Sequence, residues 1–106
     1  SAVEAILRHH PAVSDVAVID IADDLWGSIP MAYVVLREQN ADKSNLIDLM
    51  KQTITDRIGR AATPRSIQFV DQLPMLDSGK IDRLSLRIHA GEDISSGKIE
   101  HPGAVK

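Results

Sequence analysis

The spacing of apolar residues switches between helical and strand periods along the chain, and the switches divide it into elements. Val3, Ile6, Leu7 and His10 share a helical face behind Ser1-x-x-Glu4, the form of a capping box. Pro11 forbids continuation, so a short helix is expected over 2–10. Val13 to Ile21 is rich in β-branched residues, with Val16, Val18 and Asp20 alternating against Ala17, Ile19 and Ile21; apolar positions in both sets predict a strand buried on at least one side. Asp23 to Ser28 reads as a loop, with Trp26 on the core edge. Met31 to Leu36 is a second strand, with Pro30 at its start, where a strand tolerates proline. Ile47, Met50, Ile54 and Ile58 recur at helical spacing over 44–58, with Gly59 where a C-terminal cap belongs. Ala61 to Pro64 turns the chain, and Ile67 to Val70 is a short third strand. After a loop from Leu73 to Gly79, the spacing of Ile81, Leu84 and Ile88 predicts a small helix. From Gly91 the chain is polar and is expected to trail.

Helix, strand, strand, helix, strand, helix is the order of an α+β domain: a small sheet of about three strands, mixed or antiparallel, with helices packed against it. The domain is expected over residues 1–90, with a polar arm over 91–106. Its core must be aliphatic, because aromatic residues make up only 3% of the 106. With no cysteine, disulfide scaffolds, thiolate metal sites and cysteine nucleophiles are excluded. The uncharged stretch near the middle, Ile29 to Leu36, is far short of the roughly 20 apolar residues of a membrane span. The chain opens Ser1-Ala2-Val3-Glu4 with no basic leader segment, so it is expected to be cytoplasmic, and without an initiating Met its start is expected to be a cut inside a longer protein.

A net charge of −3 argues against bulk nucleic-acid binding, but it hides an asymmetry. Residues 57–87 carry Arg57, Arg60, Arg65, Lys80, Arg83 and Arg87 against Asp71, Asp77 and Asp82, so an anionic partner is expected to meet this third quarter. Within it, Ser78-Gly79-Lys80 superficially follows a phosphate loop, but Pro74 stands where the first glycine belongs and Ile81 where the hydroxyl residue belongs. The nucleotide-hydrolase reading is therefore rejected, leaving Lys80 as a lysine at the tip of a loop held by Pro74 and loosened by Gly79. His9, His10, His89 and His101 have no metal-ligand spacing, and Asp23-Asp24 lacks the further oxygen donors of a calcium loop. No metal site is expected. On these residues alone, a small ligand-sensing or protein-interaction module without catalysis stands open beside any enzyme reading.

Taken together, Val3-Glu4-Ala5-Ile6-Leu7, His10-Pro11-Ala12-Val13, Trp26-Gly27, Ala32 to Leu36, and Phe69 to Pro74 followed by Ser78-Gly79-Lys80 resemble the C-terminal domain of the adenylate-forming enzymes, the acyl-CoA synthetase superfamily. Ile58-Gly59, Ala62-Thr63-Pro64 and His101-Pro102-Gly103 are most similar to the AMP-forming acetyl-CoA synthetase branch. The resemblance implies a ligase that uses ATP, Mg2+ and CoA, in which a carboxylate first forms an acyl-adenylate and CoA then displaces AMP. It implies that Lys80, supported by Ser78 and Gly79, is the adenylation lysine, and that Lys80 is a target of a lysine acetyltransferase and deacetylase. The arginine that meets CoA phosphate in that branch falls on Thr55, which leaves Lys51, Arg57 and Arg60 as candidates for its role. The partner implied is an N-terminal adenylation domain preceding Ser1, without which this chain is expected to be inactive. One departure stands out: Met75-Leu76-Asp77 replaces a basic stretch before the Ser-Gly-Lys.

Overall fold

The computed structural model describes residues 1–101. Helix α1, Ala2–Arg8, starts at the expected capping box: the Ser1 hydroxyl accepts from the Glu4 N–H while the Glu4 side chain reaches back to Ser1. Strands β1, Val13–Asp23, and β2, Gly27–Leu36, pair antiparallel in one long hairpin, with Val16 opposite Val34 and Ile19 opposite Met31. The expected loop at 23–28 thus shrinks to a tight turn around Leu25. Asp23 closes it, its carboxylate accepting from the Leu25 and Trp26 N–H groups at 3.0 and 2.7 Å.

Pro30 lies inside β2, not at its start. It is tolerated because its carbonyl, and hence the edge its missing N–H would face, points toward the third strand, where pairing begins only at Met31. Helix α2, Lys43–Arg57, and a single 3-10 turn, Arg60–Ala62, then return the chain to β3, Ser66–Phe69, which pairs parallel to β2. The sheet is mixed, in the order β1-β2-β3. Helix α3, Arg83–Ser95, completes the α+β fold in the expected element order.

The apolar residues found in both alternating sets of β1 are explained by helices on both faces of the sheet. Val16, Ala32 and Val34 pack with Leu7 of α1 and with Met50 and Ile54 of α2. Ala17, Ile19, Met31 and Tyr33 pack on the other side with Leu73 and with Leu86 and Ala90 of α3.

Two expectations about α3 are corrected. Its buried stripe is not Leu84 and Ile88, which are 65% and 55% exposed, but Leu86 and Ala90, at 4% and 0%. Nor does the chain begin to trail at Gly91: the helix runs through it to Ser95, is capped at Ser96, and ends on Gly97 with φ of +80°. Ile99 then turns back onto the second core cluster, its N–H donating to the Asp93 carbonyl at 3.2 Å. The part of the expected arm beyond residue 101 lies outside the described residues.

Among the described residues no helix is long and apolar enough to cross a membrane.

Candidate functional site

The segment between β3 and α3 is a small, closed hairpin. Leu73 anchors its entry in the core. Met75 and Ile81 face each other as an antiparallel bridge, and the Asp82 N–H donates to the Pro74 carbonyl at 2.9 Å. At the tip, the Gly79 N–H donates to the Leu76 carbonyl at 2.9 Å while the Leu76 N–H donates to the Lys80 carbonyl at 2.7 Å. This is the pattern of a three-residue hairpin loop whose last position must be left-handed. Gly79, at φ of +87°, fills it. The glycine before the lysine therefore supplies a backbone conformation, not looseness. An L-residue would be strained there even though a Cβ would meet no neighbouring atom. Lys80 is exposed on the returning limb, and among the described residues nothing accepts a hydrogen bond from its ammonium. Ser78 is exposed in the turn.

Just past the hairpin, Asp82 caps α3 by accepting from the Ser85 N–H at 3.1 Å and the Ser85 hydroxyl at 2.8 Å. These bonds to the ionised carboxylate lower its pKa. The first helical residue, Arg83, reaches across the edge of the sheet to Glu4 of α1. Its Nη1 and Nη2 donate to Glu4 Oε2 and Oε1 at 2.9 and 3.0 Å, a bidentate pair, and Nη1 also donates to the Val18 carbonyl at 3.0 Å. The Val18 N–H in turn donates to Glu4 Oε2 at 2.9 Å. Glu4 is only 3% exposed. Burial alone would raise its pKa, but the Arg83 hydrogen bonds, the Val18 N–H and the guanidinium charge outweigh that and leave it lowered. Sequence reasoning missed this pair. Glu4 was accounted for by the capping box and Arg83 by the general basic run, and their separation along the chain hides the contact.

The three candidate cations for CoA phosphate are not equivalent. Lys51 Nζ donates to the Arg65 carbonyl at 3.1 Å, so it fastens α2 to the approach to β3. Arg57 is exposed at the end of α2. Arg60 lines a cleft of about 450 Å³ with Arg65, Trp26, Ile29 and Pro30. Trp26 is 58% exposed rather than lying on the core edge, and the Arg65 guanidinium sits over its ring, 5.5 Å from the centroid. Thr55 is occupied internally, its hydroxyl bonded to the Lys51 carbonyl and the Thr63 hydroxyl, each at 2.8 Å. Lys80 is not among the residues lining the cleft. The arginines and the lysine of the basic quarter therefore serve separate places. The sequence reading placed Arg65 only in the general basic run and Trp26 only on the core edge, and did not single out the pair as a functional candidate. The signal was an indole beside a glycine in a turn, with no indication of which arginine would cover it.

Among the described residues, no three His, Asp or Glu side chains gather as a metal site would require.

The model of the AMP-binding enzyme C-terminal domain family matches residues 2–80. The chain is 40% identical over 111 residues to acetyl-coenzyme A synthetase 1 of Candida albicans, covering 98% of this chain and 16% of that protein. It is 33% identical over 97 residues to 4-hydroxybutyrate--CoA ligase 1 of Metallosphaera sedula, covering 92% of this chain and 17% of that protein. Among solved structures, the acyl-CoA synthetase of Brucella canis superposes with a TM-score of 0.78 at 34% identity, over 86% of this chain and 17% of that one. The chain thus spans about a sixth of the length of the relatives it matches.

Proposed function

The chain belongs to the AMP-binding enzyme C-terminal domain family, and on that premise we propose that it is the mobile C-terminal domain of an AMP-forming acyl-CoA synthetase of the acetyl or short-chain class, with Lys80 as its adenylation lysine. The observation that carries this reading is the hairpin itself. A closed, hydrogen-bonded loop with a left-handed glycine presents one ammonium that nothing among the described residues engages.

In the first half-reaction, an oxygen of the substrate carboxylate attacks the α-phosphorus of ATP, and the bond to the departing pyrophosphate breaks. Negative charge is shared among the carboxylate, the α-phosphate and the leaving group. The Lys80 ammonium stabilises it through charge-assisted hydrogen bonds, and a compact cation on a four-carbon stem suits a group brought in from an exposed loop. In the second half-reaction, the CoA sulfur attacks the acyl carbon and AMP leaves with the electron pair of the broken C–O bond. For that step the cleft lined by Arg60, Arg65 and Trp26 is the face offered to CoA: two guanidiniums for phosphate oxygens and an exposed indole for the base. Lys51 and Arg57 do not line this cleft, and the Lys51 ammonium is engaged by the Arg65 carbonyl. Among the described residues no three acidic or histidine side chains gather as a donor set for Mg2+. ATP and the acyl group bind mainly to an N-terminal adenylation domain of the same parent chain. An acetyltransferase and a deacetylase acting on the exposed Lys80 would remove and restore the charge on which adenylation depends.

The test is carboxylate-dependent ATP–pyrophosphate exchange by the longer parent protein, wild type against Lys80→Ala, with acetate and propionate offered. Exchange should fall by roughly 10²–10³ in the variant, and the isolated 106-residue chain should release no pyrophosphate. Equal exchange in wild type and variant removes Lys80 from adenylation. Absence of exchange from a folded parent across many acids returns the domain to the binding-module reading.

A further inference from the structure

Among the described residues the Lys80 ammonium has no side-chain partner, so its position depends on how the backbone of its hairpin is held. The limb leading out of the hairpin is the take-off of α3, and three consecutive residues fix it. Ile81 bridges to Met75, Asp82 donates to Pro74 and caps the helix, and Arg83 reaches out of the hairpin altogether. The first two contacts are local, and Leu73 and Ile81 seat the base of the hairpin on the second core cluster by non-directional apolar packing. Of the three residues, Arg83 makes the directed polar tie from the hairpin's exit to the rest of the domain. Its fork closes on Glu4 of α1 and on the Val18 carbonyl of β1 at 2.9–3.0 Å, while Glu4 holds the Val18 N–H.

Four hydrogen bonds thus join α1, the edge strand β1 and the first turn of α3 around one buried carboxylate. They also satisfy both backbone groups that Val18 turns to the open edge of the sheet. A planar guanidinium meeting two carboxylate oxygens and one carbonyl fixes direction as well as distance, which a lysine ammonium would not.

We propose that Glu4 and Arg83 are positioning residues for Lys80, their bidentate clamp across the β1 edge setting the angle at which the lysine hairpin leaves the domain. The proposal rests on Lys80 being the adenylation lysine. The clamp is not needed to fold α3, which is seated in the core by Leu86 and Ala90. Its contribution is to orientation, where a misplacement of about 1 Å can cost about 10²-fold in rate.

The experiment compares Glu4→Gln, Arg83→Met and Arg83→Lys with wild type in the longer parent protein. Ile54→Val, a change in the α2 core far from the clamp, serves as a control for lost stability, and Lys80→Ala as a control for the underlying reading. Two quantities are read: ATP–pyrophosphate exchange at saturating substrates, and amide hydrogen exchange at Leu76, Gly79 and Asp82. Glu4→Gln and Arg83→Met should each slow the maximal rate by about 10- to 100-fold and leave KM for ATP within about twofold. Both should speed amide exchange in the hairpin but not in the middle of α2. Arg83→Lys, which keeps the charge and loses the fork, should fall between them and wild type.

If Lys80→Ala abolishes exchange while the clamp variants behave like Ile54→Val, the clamp is structural only and the proposal fails with the adenylation reading intact. If Lys80→Ala has no effect, the adenylation reading fails and takes the proposal with it. Unchanged amide exchange at Leu76 and Gly79 in both clamp variants overturns the proposal whatever the rates.

Discussion

Tyr33 faces the α3 side of the sheet, 5% exposed, with its hydroxyl buried without a hydrogen-bond partner among the described residues. An unsatisfied buried hydroxyl costs about 1–3 kcal/mol that an apolar group of the same shape would not. Burial, with the charge of Asp93 adding to it, raises the phenol pKa. The folded state therefore holds the phenolic proton more tightly than the unfolded chain does. That contribution to stability is complete below the ordinary tyrosine value near 10 and is lost as the pH rises toward the folded value. Tyr33→Phe should accordingly be neutral to stabilising by about 1 kcal/mol at pH 7. It should also lose less stability than wild type between about pH 9 and pH 11. Urea denaturation at a series of pH values reads both effects, and a destabilised Phe variant at neutral pH would show that the hydroxyl has a partner after all.

Helix α3 is the element on which sequence and structure part most clearly, and the difference can be measured. Leu84→Ala should change stability by less than about 0.5 kcal/mol, as a truncation on an exposed face. Leu86→Ala should cost about 2–5 kcal/mol, because it opens a cavity against Ile19 and Tyr33. Similar losses from the two in urea melts would contradict the assigned face. The spacing of Ile81, Leu84 and Ile88 is as helical as that of Leu86 and Ala90, so periodicity could not choose between them. The choice is made by tertiary structure: Ile81 is not in the helix but in the hairpin bridge, and Arg83 must point toward Glu4. The end of the helix was misread for a related reason. Gly91 and Gly97 are both plausible stops, and only Gly97 carries the positive φ that terminates a helix. By contrast, α2 was legible because Met50 and Ile54 continue one apolar stripe, although the ends of that stripe differ: Leu46 is buried ahead of Ile47, and Ile58 caps the helix and is 44% exposed. The two strands of the hairpin were legible because β-branched residues alternate on two buried faces. The Lys80 hairpin was visible as a motif, but its closure by the Leu76 and Gly79 hydrogen bonds was not. Nor was the Glu4–Arg83 contact, because nothing local records a pair that meets from opposite ends of the chain.

Across the whole molecule, four of the six cations of the basic third quarter divide among three places. Arg83 is consumed in the clamp, Lys80 stands on the hairpin that follows β3, and Arg60 with Arg65 lines the cleft that precedes it. Because β3 runs parallel to β2, the chain enters it beside Met31 and leaves it beside Val34, so cleft and hairpin attach to opposite ends of one strand. A domain that uses its lysine in one half-reaction and its arginines in the other must therefore present different sides to its partner in the two steps. This predicts a separation of effects in the parent enzyme. If Arg60 meets a CoA phosphate as proposed, Arg60→Ala removes a charged donor worth about 1.5–3 kcal/mol, so KM for CoA in thioester formation should rise roughly 10- to 100-fold. The loss should fall on the thiol step, whereas Lys80→Ala should act on ATP–pyrophosphate exchange, which needs no CoA. Removing the 3′-phosphate from CoA should penalise wild type and spare the Arg60 variant if that phosphate is the one Arg60 meets. A KM for CoA that is unchanged in Arg60→Ala would remove the cleft from the thiol step. A variant that loses exchange as severely as Lys80→Ala would mean that the two ends of β3 act in the same half-reaction and that no change of face is required.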